Sequence, residues 1–425
     1  MSPRMLAALS TVVVLLFGGP LAGSAWAEPL PRATPEQVGL SSERLGHVSR
    51  VLGEEILKGK LPGAVALVAR RGRIAYYESF GVRDPETRAP MTKDSIFRIY
   101  SMTKPITSVA IMMLQEEGRL VLTDPVSKSL PQLTGLQVAV EKKDAATGQV
   151  TYELQPARRE ITIQDLLRHT SGFTYGGRTT NAMVKEAYAK AGVDARDLTN
   201  AELVQRLATV PLAHQPGTAW EYSRSVDVLG RVVEVISGKS LGGFFAERIF
   251  TPLAMKDSGF FVAKDKLARV AQAFPVDPAT GEKIALIDVT AQPKYESGGG
   301  GGVSTADDYI RFAQMLLNGG RLNGTRLLSR TTVAFMASDH LGATSGTMGA
   351  PGQTFGLGFS VRKDAGLAGQ SGSIGEYGWA GAGGTYFWID PKEQLIAILM
   401  TQAPGPSRTY YRQLFKELVQ QALAD

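Results

Sequence analysis

Residues 101–105 read Ser-Met-Thr-Lys-Pro, and apolar residues then recur with a helical period from Ile106 to Leu114. Pro105 has no backbone N–H to donate, so it is suited only to the first turn of a helix. Gly118 stands where a helix C-terminus favours a residue that tolerates positive φ. The stretch predicts a helix over about 101–117, with the serine at its N-terminus, where unpaired N–H groups and the helix dipole favour negative charge.

Ser101 and Lys104 are three residues apart, so on a helix their side chains lie on the same face. A serine hydroxyl is a weak nucleophile near neutral pH and needs a base within hydrogen-bond reach, which this lysine can supply. The same Ser-x-x-Lys pattern recurs at residues 360–363, but there the sequence predicts a strand, on which residues i and i+3 point to opposite faces. We therefore assign chemistry to the first copy only; its alternative interpretation is a capped surface helix with a solvated lysine.

The composition excludes several classes of function. The chain has 425 residues, of which 44% are hydrophobic, and can bury a large core in one or two domains. It has no cysteine, which excludes a thiol nucleophile, a disulfide framework and a thiolate metal site. The net charge of +6 is modest and the basic residues are scattered, so we expect no nucleic-acid partner. We also expect no metal or cofactor, because no phosphate-binding loop occurs and the histidines lack metal-ligand spacing (His47, His169, His214, His340).

The N-terminus has the features of a secretion signal. Arg4 precedes an apolar stretch from Met5 to Phe17, and Ala25-Trp26-Ala27 has the small-x-small form of a signal-peptidase site. We expect residues 1–27 to be removed, leaving a periplasmic or secreted protein with no stable membrane span. An uncleaved N-terminal anchor is the alternative.

The distribution of strands and helices predicts an α+β fold. Hairpins are expected at both ends of the chain, from Ala64 to Phe80 and from Thr385 to Thr401, and mostly helical material lies between them. We therefore predict a sheet-containing domain from residues 28–100 and 296–425, a mostly helical domain from 101–295, and an active site at their interface. The predicted helices are 42–57, 161–169, 201–208, 226–236, 306–317 and 407–423.

Two further segments have a less regular pattern. The polar stretch from Leu133 to Leu154 is predicted to be a surface excursion that can form a hairpin. The run from Gly298 to Gly302 marks either a close crossing of two backbone segments or a flexible joint, and a plain mobile loop is an equal alternative. Thr305 and Asp308 offer a capping box at the start of the next helix.

Two other segments carry side chains suited to chemistry. Tyr222 precedes a predicted helix and could relay a proton between a nucleophile and a leaving group, although a half-buried aromatic of no special function is the alternative. The stretch from Tyr377 to Thr385 is rich in glycine and leads into a strand, so a ligand could approach its backbone N–H groups.

Taken together, the Ser-x-x-Lys pattern, the later tyrosine and the glycine-rich strand resemble the serine β-lactamase and penicillin-binding superfamily. The closer similarity is to class C β-lactamases and to the carboxylesterases related to them, the family VIII esterases. The resemblance extends from about Leu40 to Leu418 and implies a β-lactamase/transpeptidase-like fold with an antiparallel sheet flanked by helices. Further stretches of sequence that support the resemblance are Phe97–Tyr100, Leu166–Phe173, Asp227–Gly230 and Trp379–Gly381.

The resemblance implies a role for each matching residue. Ser101 would be the acylated nucleophile, and Lys104 the base, as a neutral amine with a pKa lowered by burial or nearby cations. Tyr222 would shuttle protons between the nucleophile, the leaving group and water. The backbone N–H groups of Ser101 and Ala382 would form the oxyanion hole. His169 is a feature of the family that we interpret as structural.

Two departures from the family pattern concern the substrate. Where β-lactamases and D,D-peptidases carry Lys-Thr-Gly, this chain has Trp379-Ala380-Gly381, which replaces a cation with an apolar wall and is the pattern of the esterases. Arg224 stands where the tyrosine motif usually has asparagine, and it could restore a positive charge. We therefore predict substrate contacts from Trp379, Gly381 and Arg224.

The combined prediction is an exported serine hydrolase that cleaves small-molecule carboxylic esters through an acyl-enzyme on Ser101. The alternative is a β-lactamase or a D-amino-acid peptidase that acts on amides of the cell-wall type. A non-catalytic relative that only binds ligand is a third hypothesis, but such a protein would be expected to have lost Ser101, Lys104 or Tyr222.

Overall fold

The computed structural model of the protein describes residues 29–344 and 350–425. The secretion signal predicted at 1–27 lies outside the described residues, so its removal stays a prediction. Within the described ranges, no helix combines the length and the apolar character needed to cross a lipid bilayer.

Eight strands form one large antiparallel sheet in the order β10-β11-β12-β13-β14-β1-β2-β3. The remaining strands form the small pairs β4-β7, β5-β6 and β8-β9. The bounds are β1 (Gly63–Arg70), β2 (Arg73–Asp84), β3 (Ala89–Pro90), β4 (Phe97–Arg98), β5 (Gln137–Lys143), β6 (Val150–Pro156), β7 (Val303–Ser304), β8 (Arg321–Leu322), β9 (Thr325–Arg326), β10 (Gln353–Phe355), β11 (Ser360–Arg362), β12 (Tyr377–Ala380), β13 (Tyr386–Asp390) and β14 (Leu395–Thr401).

The two ends of the chain meet in the centre of the large sheet. The predicted hairpins are confirmed as β1 with β2 and β13 with β14. Strand β1 also pairs with β14, with Ala64 opposite Thr401 and Arg70 opposite Leu395. Every residue of β1 is buried, as expected for a strand covered on both faces. The predicted α+β fold, an antiparallel sheet flanked by helices, is confirmed.

Helices cover both faces of this sheet. Because successive side chains of β1 point to opposite faces, Ala64, Ala66 and Val68 pack with α1 and α10, and the alternate residues pack with the larger core of α2 and α8. The helix bounds are α1 (Ser42–Leu57), α2 (Thr103–Glu116), α3 (Ile163–Leu167), α4 (Ala182–Ala191), α5 (Asn200–Leu207), α6 (Ser225–Ser237), α7 (Leu241–Phe245), α8 (Ala306–Leu317), α9 (Arg330–Met336) and α10 (Arg408–Gln420).

Helix α2 lies in the middle of the molecule. Every residue from Thr103 to Leu114 is buried, including the polar ones. The predicted start at Ser101 falls in a 3₁₀ turn, Tyr100–Met102, that leads directly into the α-helix. Tyr100 has φ 44°, in the left-handed region that is costly for a bulky residue, so the backbone just before the serine is strained.

The structure also decides several local predictions. The second Ser-x-x-Lys copy lies on β11, as predicted, and the excursion after Leu133 forms the β5-β6 hairpin. The predicted capping box at α8 is confirmed for Thr305, whose side chain caps the helix. It is wrong for Asp308, because its carboxylate accepts hydrogen bonds from the backbone N–H groups of Lys256 and Asp257 instead of from that of Thr305. The division into domains at 28–100, 101–295 and 296–425 stays a prediction.

Asp165 is expected to make the stability of the fold sensitive to acid. Burial alone would raise the pKa of its carboxyl group, but hydrogen bonds from Arg159, the Thr162 backbone and Thr170 outweigh burial and hold the pKa at about 2. Because the unfolded value is 3.8, the ionised carboxylate stabilises the fold above about pH 4, and this contribution is lost as the pH falls towards 2.

We expect Asp165→Asn to lower the free energy of unfolding by about 2–3 kcal/mol at pH 7, and by much less near pH 2. Urea denaturation of both proteins across this pH range measures the difference. Asp197→Asn is the control, since Asp197 is exposed between α4 and α5 and forms no hydrogen bond or ion pair within residues 29–344 and 350–425. An equal loss for Asp165→Asn at both ends of the range would contradict the assignment.

Candidate active site

Ser101 lies in the 3₁₀ turn that leads into α2, is partly exposed, and is contacted by two of its predicted partners. The Tyr222 hydroxyl donates a hydrogen bond to its Oγ at 2.7 Å. The Lys104 ammonium lies one helical turn away, with Nζ 3.4 Å from the same oxygen. Two side chains, one from the next helical turn and one from a distant part of the sequence, therefore converge on the Ser101 hydroxyl oxygen.

Lys104 is fully buried, and its ammonium group donates hydrogen bonds to two groups besides Ser101. Its Nζ donates to the carbonyl oxygen of Gly299 at 2.6 Å and to the Tyr175 hydroxyl at 3.2 Å. Burial lowers the pKa of Lys104, but the charges of Tyr175 and Tyr222, when ionised, and of Asp227 outweigh burial, so the pKa is raised. The prediction of a lowered pKa for Lys104 is therefore wrong in direction, because the sequence did not show that the Asp227 carboxylate folds near the lysine.

Tyr222 lies on the loop before α6 and is surrounded by aromatic rings. The Trp379 indole Nε1 donates to its hydroxyl at 3.4 Å, and the two ring centroids are 5.5 Å apart. The rings of His169 and Tyr175 lie 4.9 and 5.5 Å from that of Tyr222. Two cations face the same ring, Lys104 at 4.5 Å and Arg178 at 5.4 Å from its centroid. The Tyr222 side chain is therefore held between an indole N–H donor and two cations.

Tyr175 is a site residue that the sequence analysis missed. Its hydroxyl is hydrogen-bonded to Lys104, so it belongs to the same network as Ser101 and Tyr222. It follows the Leu166–Phe173 phrase by two residues, in the stretch Thr174-Tyr175-Gly176-Gly177. Its position among small residues, just after a stretch that resembles the family, is the sequence feature that could have identified it.

The glycine run is a close crossing of backbone segments, the first of the predicted alternatives. Gly299 passes so near α6 that a Cβ on it would lie 2.6 Å from an Asp227 carboxylate oxygen. Its N–H donates to the Asp227 carboxylate at 3.0 Å, and its carbonyl accepts from Lys104. Because Gly299 has no side chain, this one residue can contact Asp227 through its N–H and Lys104 through its carbonyl.

We expect Gly299→Ala to destabilise the protein by about 1–3 kcal/mol, because the added methyl group overlaps the Asp227 carboxylate. Activity should fall as well, since the carbonyl that holds Lys104 must shift. Gly300→Ala is the matched control one residue away, where the nearest heavy atom to a new Cβ is 3.8 Å distant. Thermal unfolding of both variants tests this, and equal effects would show that crowding at Gly299 is not the cause.

The turn after β12 lies against the backbone that leads into Ser101. A Cβ on Gly381 would lie 2.2 Å from the carbonyl oxygen of Ile99, so only glycine permits this approach. The next residue, Ala382, is exposed, and no described group accepts a hydrogen bond from its backbone N–H. That donor is therefore available to a ligand, and its role in an oxyanion hole stays a prediction.

Arg224 and His169 have other partners. The Arg224 guanidinium forms ion pairs with Asp194 and Asp227 and hydrogen-bonds the Tyr295 hydroxyl, so its charge is already balanced. Its predicted contact with substrate stays a prediction.

His169 is fully buried, and burial together with the charge of Lys104 lowers its pKa well below the usual value. A neutral imidazole that accepts a hydrogen bond from the Ser223 backbone agrees with a structural role.

Among residues 29–344 and 350–425 there is no group of three or more His, Asp or Glu side chains placed to hold a metal ion. The chemistry that these residues can perform is nucleophilic: a serine in contact with a tyrosine and a lysine, beside an aromatic wall and a free backbone N–H.

Comparison with known proteins shows which family the chain resembles. The sequence model of the family named Beta-lactamase matches residues 45–420. Esterase EstB of Burkholderia gladioli is 32% identical over 368 residues, which cover 83% of this chain and 88% of EstB. The lovastatin esterase of Penicillium rubens (strain ATCC 28089 / DSM 1075 / NRRL 1951 / Wisconsin 54-1255) is 30% identical over 374 residues, covering 82% of this chain and 90% of that protein.

A solved structure is similar over almost the whole chain. EstCE1, described as a hydrolase with promiscuous acyltransferase activity, has a TM-score of 0.72 and 27% sequence identity, covering 90% of this chain and 99% of EstCE1. The chain belongs to the β-lactamase family, as the resemblance implied. It is an enzyme, a serine hydrolase of that family.

Proposed function

We propose that this protein hydrolyses carboxylic esters through an acyl-enzyme intermediate on Ser101. The observation that carries the proposal is the convergence of the Tyr222 hydroxyl and the Lys104 ammonium on the Ser101 oxygen, at 2.7 and 3.4 Å. The relatives named as esterases support the choice of esters, and so does Trp379, which stands where β-lactamases carry a lysine.

The site reacts after it has lost one proton. The two groups that can give up this proton are the Lys104 ammonium and the Tyr222 hydroxyl, and both contact the Ser101 oxygen. We assign the role of base to Tyr222 in place of Lys104, because the Tyr222 hydroxyl is the closer of the two to the Ser101 oxygen, at 2.7 Å against 3.4 Å for the Lys104 Nζ. Lys104 supplies positive charge beside the Tyr222 ring. Tyr222 then removes the Ser101 proton along their 2.7 Å contact while Oγ attacks the acyl carbon.

The remaining steps use the same atoms. The backbone N–H groups of Ser101 and Ala382 stabilise the oxyanion, a contribution of about 3–4 kcal/mol for each donor in comparable sites. Tyr222 gives its proton to the departing alkoxide, and an alcohol leaves. Water then loses a proton to Tyr222 and attacks the acyl carbon, and Ser101 recovers the proton as the acid is released.

The aromatic residues beside the nucleophile form an apolar wall for the substrate. The partly exposed Trp379 and Trp220 supply this wall, and both pack on the buried Phe355, whose ring centroid lies 5.2 Å from that of Trp379 and 5.7 Å from that of Trp220. A wall of this kind suits the hydrocarbon part of a small ester, because most of the surface buried by such ligands is apolar. Export to the periplasm or the medium, which the N-terminal segment predicts, is part of the same proposal.

A panel of substrates tests the proposal. We expect purified protein to hydrolyse a short-chain p-nitrophenyl ester faster than a chromogenic cephalosporin or a D-alanyl-D-alanine peptide. Cephalosporin or peptide turnover above ester turnover would favour the amide-directed alternative. If none of these substrates is turned over and a fluorophosphonate fails to label Ser101, the proposal fails. Such a result would favour the alternative of a non-catalytic protein that only binds ligand.

A further inference from the structure

The peptide group that joins Tyr100 to Ser101 carries one of the two N–H groups that the proposed mechanism uses at the oxyanion. No group among residues 29–344 and 350–425 accepts a hydrogen bond from this N–H. The backbone that presents it is strained, since Tyr100 has φ 44°. A strained conformation persists only where the surrounding structure fixes it. The contacts that hold this peptide group therefore bear on catalysis.

Thr103 holds the carbonyl of the same peptide group. Its Oγ1 donates a hydrogen bond to the Tyr100 carbonyl oxygen at 2.6 Å. The C=O and N–H of a planar trans peptide point in opposite directions, so fixing the carbonyl also fixes the direction of the Ser101 N–H. The Thr103 backbone N–H is directed at this carbonyl as well, as is usual at the end of a 3₁₀ turn. The hydroxyl is therefore a second donor, supplied by the side chain.

The Thr103 hydroxyl is itself fixed by the glycine run. The backbone N–H of Gly302 donates to its Oγ1 at 2.9 Å, which leaves the hydroxyl proton for the Tyr100 carbonyl. A Cβ on Gly302 would lie 2.7 Å from that oxygen, so only glycine allows this approach. The Gly302 carbonyl also accepts a hydrogen bond from the Ile99 N–H at 2.9 Å. Thr103 is 1% exposed, so solvent does not compete for these bonds.

The Tyr100 ring lies beside the second proposed donor. A Cβ on Gly383, the residue after Ala382, would lie 2.8 Å from a ring carbon of Tyr100. The Tyr100 hydroxyl accepts a hydrogen bond from the backbone N–H of Ile287 at 3.3 Å, which fixes the ring at its other end. One residue thus carries the peptide group of the first donor and packs next to the turn that presents the second.

We propose that Thr103 is a positioning residue of the oxyanion hole. Its hydroxyl fixes the Tyr100–Ser101 peptide group, so that the Ser101 N–H points at the oxyanion together with that of Ala382. Thr103 is buried and acts through the backbone of Ser101, without touching the substrate. This inference rests on the proposed ester hydrolysis and adds to it a residue whose effect falls on the transition state.

A comparison of p-nitrophenyl acetate with its thiono analogue, in which C=S replaces C=O, tests the inference. Sulfur accepts hydrogen bonds weakly, so hydrolysis of the thionoester depends less on the oxyanion hole. Thr103→Val keeps the shape of the side chain and removes the hydroxyl. We expect it to lower the ratio of kcat/KM for the ester to that for the thionoester about three- to tenfold, because one hydrogen bond is typically worth that much.

Two further readouts separate positioning from a general loss of structure. The loss for the ester should appear in kcat with KM little changed, since the oxyanion exists only in the transition state. Thr103→Ser keeps the hydroxyl and should keep the ratio of the wild type. If Thr103→Val does not fold, Thr103→Ala takes its place in the comparison.

Thr107→Val is the matched control. Thr107 lies one turn later on α2 and is also buried, and its hydroxyl donates to the carbonyl oxygens of Gly298 at 2.8 Å and of Thr103 at 3.4 Å. It does not contact the Tyr100–Ser101 peptide group, so its replacement should cost stability and leave the ratio unchanged. A ratio that Thr103→Val does not lower, or that both variants lower equally, would overturn the inference while leaving ester hydrolysis intact.

If the wild type hydrolyses neither ester, the proposed function fails. In that case, or if only the thionoester is not hydrolysed, crystal structures of the wild type and of Thr103→Val decide the inference. We expect the Ser101 N–H to change direction in the variant, and an unchanged Tyr100–Ser101 peptide group would overturn the role of Thr103.

Discussion

Ser101→Ala is expected to reduce kcat for a p-nitrophenyl ester by about 10⁴-fold or more, because the covalent route is lost with the hydroxyl. The fold should be retained, since Ser101 is partly exposed and its side chain contacts only Tyr222 and Lys104 among the hydrogen bonds of the described chain. Initial rates over a range of substrate concentrations, with circular dichroism as a check of folding, measure the effect.

Ser360→Ala is the matched control for this substitution. Ser360 belongs to the second Ser-x-x-Lys copy, on β11, where its hydroxyl donates only to the carbonyl oxygen of Gly378. Its replacement should leave the rate within a few-fold of wild type. Unchanged hydrolysis in Ser101→Ala would end the proposal that this serine is the nucleophile.

Tyr222→Phe is expected to reduce kcat by about 10²–10⁴-fold, the usual contribution of a general acid–base group. Removing the hydroxyl takes away both the acceptor of the Ser101 proton and the donor to the leaving group. The rate of the wild-type enzyme should rise with pH, because the reactive site lacks one proton, and this rise should be lost in the variant. Stopped-flow or steady-state rates across the pH range test both expectations.

Two further tyrosines serve as controls. Tyr76→Phe removes the hydroxyl of a half-buried tyrosine that is hydrogen-bonded to Ser49, remote from the site, and should change stability more than rate. Tyr175→Phe removes a hydroxyl that contacts Lys104 but not Ser101, so its effect on kcat should be smaller than that of Tyr222→Phe. A pH profile that keeps its shape in Tyr222→Phe would contradict the role of Tyr222 as base.

Much of the fold could be predicted because local signals were strong. The bounds of α1 and α8 follow from apolar periodicity between clear caps, Ser41 and Thr305. The terminal hairpins follow from short turns between strand-like runs. Helix α4 was missed although Asn181 caps it and Gly192 ends it in the left-handed region, because its apolar stripe is short and only Val184 and Tyr188 are buried.

The parts of the site that could not be predicted depend on contacts between distant segments. The sequence identified Ser101, Lys104 and Tyr222 as a set, but not the protonation of Lys104, which depends on Asp227 and on Tyr175 folding around it. It also did not show that Arg224 is paired with Asp194. The pKa of a buried group depends on the charges and hydrogen bonds of the groups that surround it in the fold. A linear sequence does not show which groups those are.

The most direct test of the central claim is mass spectrometry of the intact protein during turnover of an ester that deacylates slowly. The claim predicts a mass gain equal to the acyl group, located by peptide mapping on Ser101 and absent from Ser101→Ala. Acylation of any other residue, or equal labelling of Ser101→Ala, would contradict it.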